Sequence, residues 1–171
     1  NVADIAEDLA GLYGCDAYKA KLAGLVHDCS KEEKYEDMVM YAQKCGYIVD
    51  EDSFKILPVL HGPASVYICR KVFGIEDEEI LSSVRYHVTG RDNMSIMEKV
   101  IFIADYIEAS RKFEGIEELR ALAYRNLDDA MLKALDFTIT YIISKRGLLH
   151  HDTVRARNFL IQYHTNMNGV L

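Results

Sequence analysis

An all-α fold, a bundle of about eight helices in one domain, is what this sequence predicts, and three observations carry that expectation. Apolar residues recur at three- and four-residue spacing along most of the chain, as at Val2, Ile5, Ala6 and Leu9 and again at Met131, Leu132, Leu135, Ile139, Ile142 and Ile143. No run alternates apolar and polar residues long enough to make a strand. Prolines, which break helices, number 2 in 171 residues. Hydrophobic residues make up 50% of the chain and charged ones 27%, the balance of a chain that buries a core. Its length allows that core without disulfides or metals to staple it. Residues 1–171 are read as a single domain, with no low-complexity linker and no internal repeat.

In chain order, the Val2 to Leu9 pattern opens the first helix, and Asp16 caps a second that runs to about Lys31. Gly46 and Gly74 stand where left-handed C-terminal caps end others. Gly62-Pro63 reads as a cap followed by proline in the first turn of a helix, where its missing N–H is harmless. A further helix is expected from Asp77 to Tyr86. Ser95-Ile96-Met97-Glu98 forms a capping box, so a helix starts there and runs to about Glu108. Helices from Ile116 to Arg125, Asp128 to Arg146 and Thr153 to His164 complete the set. The loop from Gly46 to Phe54, with Asp50-Glu51-Asp52, is expected to be a solvated connection, because its acids and glycine lack calcium-loop spacing.

Charge and composition narrow the function. The net charge is −7, and no basic run of five or more residues occurs, which argues against nucleic acid as a partner. A small anionic ligand is compatible, since bound cations and a few arginines reverse the field inside one pocket. No stretch has the length and apolarity of a membrane span, and residues Asn1 to Asp8 do not resemble a signal peptide. Cys15, Cys29, Cys45 and Cys69 are scattered singly and read as buried free thiols in a reducing compartment, so a cytoplasmic protein is expected.

Five residues stand out as chemistry. His27 and Asp28 lie near the end of a helix that is otherwise apolar, where a carboxylate is costly to bury without a partner. His61 ends the apolar segment from Ile56 to Leu60, and His87 ends the periodic run through Ile80, Leu81 and Val84, so both are placed at helix ends. Asp105 sits inside Val100-Ile101-Phe102-Ile103-Ala104-Asp105-Tyr106-Ile107, an unusually apolar setting for a charge. Singly, each is more often a satisfied core polar group. Together, three imidazoles and two carboxylates form a ligand set suited to iron, manganese or zinc.

In order, His-Asp, His, His and a distant Asp resemble the HD-domain superfamily of metal-dependent phosphohydrolases. The surrounding text is most similar to its YqeK branch of symmetrical bis(5′-nucleosyl)-tetraphosphatases. The matching segments are Ala23 through Lys31, Leu60-His61-Gly62-Pro63, Tyr86 through Arg91 with Asn93-Met94-Ser95, Ile103 through Glu108, and Leu149-His150 with Asp152-Thr153 and Ala156-Arg157-Asn158. The resemblance implies a single HD domain with two divalent or mixed-valence metal ions, iron foremost and manganese or zinc as alternatives. It implies that Asp28 bridges them, that His61 and His87 bind one, and that His27 and Asp105 serve the other with a further histidine expected a few residues before Val2. The implied reaction cleaves a dinucleoside polyphosphate, diadenosine tetraphosphate giving two ADP, with cations acidifying the attacking water. The partner is then a small nucleotide, and a homodimer is allowed.

Three cationic residues flank these ligands. Arg91 and Arg111 lie in loops beside His87 and Asp105 and are candidates to grip phosphate bidentately, against the commoner role of solvated loop charge. Lys31, three residues after Asp28, is a candidate to neutralise a phosphate or to pair with Asp28. A second pair, His151-Asp152, reads as a decoy with Asp152 as a helix N-cap, and His150 and His164 read as ordinary surface or core residues. Two alternatives stand beside the main expectation: another HD-type nucleotide or alarmone phosphohydrolase, and a non-catalytic helical domain whose metal is structural.

Overall fold

The computed structural model describes residues 1–50, 53 and 55–167. Among these are nine helices and no strand: α1 (Val2–Tyr13), α2 (Ala17–Val26), α3 (Tyr35–Lys44), α4 (Leu57–Lys71), α5 (Glu78–Tyr86), α6 (Ile96–Ile107), α7 (Ile116–Ala123), α8 (Leu127–Ser144) and α9 (His151–Met167). The all-α expectation holds, with one helix more than anticipated. No described helix is long and apolar enough to cross a membrane.

The axis of the bundle is α6. Val100, Ile101, Phe102, Ile103 and Ala104 are all buried, because α1, α2, α5, α7 and α8 pack around this helix. Each large aliphatic side chain removed from water there contributes roughly 1.5–3 kcal/mol. A smaller cluster of Met38, Leu60 and Ala64 joins α3 to α4. The helix at the centre of the apolar core therefore also carries Asp105, close to its C-terminal end, and delivers that carboxylate beside α2 and α5.

Local signals placed most boundaries. Asp16 accepts from Lys19 N and Asp77 from Glu79 N and Ile80 N, opening α2 and α5. Ser95 and Glu98 form the reciprocal capping box of α6. Gly46 and Gly74 are left-handed, at φ 73° and 65°. Four expectations need correction. The helix capped by Asp16 ends at Val26 rather than near Lys31, and the chain continues in single turns closed by Cys29 N to Val26 O and Lys31 N to Asp28 O. Gly62 and Pro63 do not begin a helix but lie inside α4, so His61 is within a helix rather than at its end. The start of α4 is set instead by Pro58 in its first turn. Asp152 is not the cap of α9; its N–H bonds to Nδ1 of His150, at 3.2 Å, and His150 takes the capping part. Among the cysteines, all free, Cys69 is buried while Cys15, Cys29 and Cys45 are half-buried. Glu51, Asp52 and Phe54 of the expected connection lie outside the described residues.

Candidate metal centre

The five residues singled out from the sequence converge although they come from four separate places. His27 is the C-terminal cap of α2 and Asp28 follows it; His61 is in the second turn of α4; His87 caps the end of α5; Asp105 is on α6. Asp28 occupies the middle. Its Oδ1 lies 3.1 Å from His61 Nε2 and 3.3 Å from His87 Nε2. Its Oδ2 lies 3.5 Å from His27 Nε2, which is itself 3.6 Å from Asp105 Oδ1. His61 Nε2 and His87 Nε2 face each other at 3.0 Å.

Two glycines without a side chain make this approach possible. A Cβ on Gly62 would lie 2.5 Å from Arg85 O, so α4 can come up against the end of α5 only with glycine there. That contact sets His61 against His87. A Cβ on Gly24 would lie 2.8 Å from Ala3 Cα, and the carbonyl of Gly24 accepts from His27. The sequence reading treated Gly62 as a chain-turning residue; the signal available was its position between a ligand and a proline, which does not distinguish a cap from a close approach.

Hydrogen bonds fix which nitrogens are free. A carbonyl oxygen only accepts, so His27 Nδ1–H donates to Gly24 O at 2.8 Å and His87 Nδ1–H donates to Val84 O at 2.7 Å. In the neutral form that a metal ligand takes, both rings turn Nε2 lone pairs toward Asp28, the orientation that second-sphere carbonyls give to metal-binding histidines. His27 Nε2 is buried and has no hydrogen-bond partner among the described residues. Lone pairs and carboxylate oxygens crowded at these distances repel one another, and a cation among them removes the repulsion. The donor set therefore fits a divalent metal.

Electrostatics point the same way. Burial raises the Asp28 carboxyl, but the imidazoles of His27, His61 and His87 and the ammonium of Lys31 overcome it and hold the group well below the usual carboxylate range. For Asp105, burial acts upward and is outweighed by His27 and the charge of Arg111, leaving a pKa of about 2. Burial works against charge on His27, yet Asp105 and Asp28 carry its pKa up to about 10. Burial dominates at His87 and pushes its pKa down. The pocket thus keeps two ionised carboxylates and favours positive charge beside them.

The three flanking cations differ. Lys31 Nζ lies 2.7 Å from Asp28 Oδ2 with half its side chain exposed. Arg111 Nη2 lies 3.1 Å from both oxygens of Asp105, its side chain 44% exposed. Arg91 is instead clasped by the buried Glu98, with Nε and Nη2 each 2.9 Å from its two oxygens, while Nη1 donates to Asp92 O. Glu98, which sequence reasoning saw only as a cap, also bonds Ser82. At the decoy, His150 is buried with Nε2 on Ser53 Oγ at 3.1 Å and Nδ1 on the Asp152 amide, so neither ring nitrogen is free for a metal. His151 is exposed at 46% and lies 3.3 Å from Asp152. The side chain of His164 lies outside the described residues, and the histidine expected a few residues before Val2 is not among residues 1–171.

This combination of an all-helical bundle and a His-Asp centre defines the class. The HD-domain family matches residues 1–110, and the chain belongs to it. HD domains bind divalent metals. A symmetrical bis(5′-nucleosyl)-tetraphosphatase of Halalkalibacterium halodurans is 40% identical over 161 residues, covering 94% of this chain and 85% of that protein. Its counterpart in Bacillus subtilis is 32% identical over 163 residues, covering 94% and 86%. Among solved structures, a crystal structure of a predicted HD superfamily hydrolase involved in NAD metabolism from Clostridium acetobutylicum superposes with a TM-score of 0.91 at 45% identity, covering 95% of this chain and 86% of that one.

Proposed function

We propose that this chain is a metal-dependent hydrolase of dinucleoside polyphosphates that cleaves diadenosine tetraphosphate symmetrically into two ADP. The carrying observation is the convergence of His27, Asp28, His61, His87 and Asp105 on one pocket with imidazole lone pairs turned inward. The choice of substrate draws on the names of the relatives. His61, His87 and Asp28 would hold one ion, and His27, Asp105 and Asp28 the other. Iron is the first candidate, with manganese or zinc next. When bound, such ions supply positive charge to the phosphoryl oxygens and make water acidic enough to be a nucleophile near neutral pH.

The chain's own residues do the rest. Asp28 and Asp105 remain ionised across the working range and do not serve as proton donors. None is needed, because an ADP leaving group departs as an anion whose terminal phosphate is largely ionised near pH 7. Its charge has to be offset, and Arg111 and Lys31 are placed for that: both are partly exposed and both touch a ligand carboxylate. Substrate phosphate exchanges with that carboxylate for the same donors. Arg91, held on Glu98, orders the loop after His87 in preference to gripping phosphate. Four free thiols suit a reducing cytoplasm.

Chromatography of the products with diadenosine tetraphosphate tests the reading. ADP alone is the expected product, with turnover abolished by a chelator and restored by iron or manganese. Formation of AMP and ATP, or cleavage only of a mononucleotide or guanosine alarmone, would replace the proposal with a different HD-type activity.

A further inference from the structure

A cavity of about 280 Å³ lies along the α4–α5 pair and is walled by Arg70, Arg85, Tyr86 and Arg91. A second, of about 380 Å³, shares Arg85 and Tyr86 and adds Tyr47, Asp50 and Asp152. None of the five metal ligands lines either one, yet Tyr86 is the residue before His87. The three arginines are not equivalent. Arg70 is paired with Glu76 and Glu78, and Arg91 with Glu98. Arg85 has no carboxylate partner among the described residues. Among the described residues its hydrogen bond is one long contact from Nη2 to Cys45 O at 3.4 Å, and its Nε is buried with no partner.

The guanidinium of Arg85 is nonetheless held in place. Its carbon sits 5.6 Å from the ring centre of Tyr47 and 5.9 Å from that of Tyr86, close enough for both rings to attract it. A planar fork fixed over aromatic rings, with most of its five donors uncommitted, is preorganised for a tetrahedral oxyanion. Beside it, Asp50 and Asp152 offer carboxylate acceptors to the larger cavity, the chemistry that binds sugar hydroxyls rather than phosphate.

We propose that Arg85 is the phosphate-binding residue of a second nucleotide subsite, in which a nucleoside phosphate sets its phosphate on Arg85 and its ribose hydroxyls on Asp50 and Asp152. The identity of the ligand rests on the hydrolase reading: it is the outer half of the dinucleoside substrate or the ADP released from it, which share this chemistry. A substrate with two nucleosides needs such a place away from the reacting phosphorus.

The test is calorimetric binding of ADP to the full chain, with metal ions in place and again after chelation, in the wild type, Arg85→Gln and Glu78→Gln. Loss of a charge-assisted contact should weaken ADP binding about 10-fold or more in Arg85→Gln under both conditions. Glu78 is exposed, and its replacement frees Arg70 at the same cavity, so Glu78→Gln should tighten binding by roughly 3-fold. Steady-state kinetics separate the two sources. If the outer half of the substrate binds there, Arg85→Gln raises KM for diadenosine tetraphosphate with kcat nearly unchanged. If free ADP binds there, KM is unchanged and inhibition by ADP weakens instead. ADP affinity unaltered in both variants overturns the subsite, as does a loss in Arg85→Gln that merely tracks a fall in melting temperature while Glu78→Gln has no effect. Arg85-dependent ADP binding without cleavage of diadenosine tetraphosphate would keep the subsite and remove the hydrolase reading; cleavage with ADP binding indifferent to both variants would do the reverse.

Discussion

Replacing Gly62 by alanine adds one methyl group, and the structure says where it goes. The new Cβ would lie 2.5 Å from Arg85 O and 3.3 Å from Arg85 C. Cβ atoms essentially never come closer than 3.0 Å and ordinary contact begins at 3.4 Å, so α4 and α5 must part by about 0.5–0.9 Å, and the obstacle is backbone that cannot swing aside. Overpacking of this kind costs about 1–3 kcal/mol. Alanine inside a helix returns about 0.5–1 kcal/mol relative to glycine. The net loss of stability is then about 0–2.5 kcal/mol, a fall in Tm of no more than about 10 °C for a chain of this size. Function should suffer more than stability. His61 is the neighbour of Gly62, its Nε2 stands 3.0 Å from that of His87, and metal ligands tolerate displacements of only about 0.2 Å. A drop of roughly 10–100-fold in metal affinity is expected, of the size seen when ligand positioning is lost. The assay pairs metal titration with thermal melts of Gly62→Ala and of Gly11→Ala as control. Gly11 lies in α1 with nothing within 4 Å of an added Cβ, so that variant should gain about 0.5–1 kcal/mol and keep its metal. Wild-type metal affinity in Gly62→Ala would refute the argument that this glycine positions His61 against His87.

Four further outcomes follow from the same geometry. His61→Ala and His87→Ala should each lose at least one metal equivalent and at least about 100-fold in turnover, exceeding the loss from a second-sphere change, whereas His151→Ala should lose neither; equal losses in all three, by metal analysis and product chromatography, would show the wrong histidines were chosen. Asp105→Asn keeps the size of the side chain but not its charge, so metal content should fall while far-UV circular dichroism stays helical; full metal and full turnover would make Asp105 a core polar group. Arg111→Met should raise KM by roughly 10–100-fold, the worth of one charge-assisted hydrogen bond, with a smaller change in kcat; an unchanged KM would leave Arg111 as a solvated partner of Asp105. Chelation should lower Tm, and manganese at about 100 times its Kd should restore roughly 2.7 kcal/mol, some 5–11 °C; melts that ignore metal would argue against a folded-state site.

Reading the chain alone went furthest where a local pattern has one physical meaning. The capping box at Ser95 and Glu98, the caps at Asp16 and Asp77 and the left-handed Gly46 and Gly74 were legible because each satisfies backbone groups only a few residues away. The five candidate metal ligands stood out because a charge or imidazole inside an apolar helical pattern is costly unless it has a partner, and their chain order added the family. Arg91 and Arg111 looked alike in sequence, each in a loop beside a ligand. Only the packed structure separates them, since the partner of Arg91 is Glu98, buried by the whole of α6, and the partner of Arg111 is Asp105 at the pocket.

What the sequence by itself determined was the helical state, most helix ends and the candidate donor residues, because all of these depend on periodicity and on neighbours within one turn. Tertiary structure decided how the donors meet. Gly62 and Pro63 carry the same local signal whether they start a helix or lie within one, and the choice was made by the close approach of Arg85 O, a contact across 23 residues of chain. The free direction of each imidazole, the second duty of Glu98 and the setting of the Arg85 guanidinium, without a carboxylate partner among the described residues, likewise depend on which helix lies alongside. Nothing in a one-dimensional pattern encodes that neighbour, since it is selected by the packing of the whole bundle around α6.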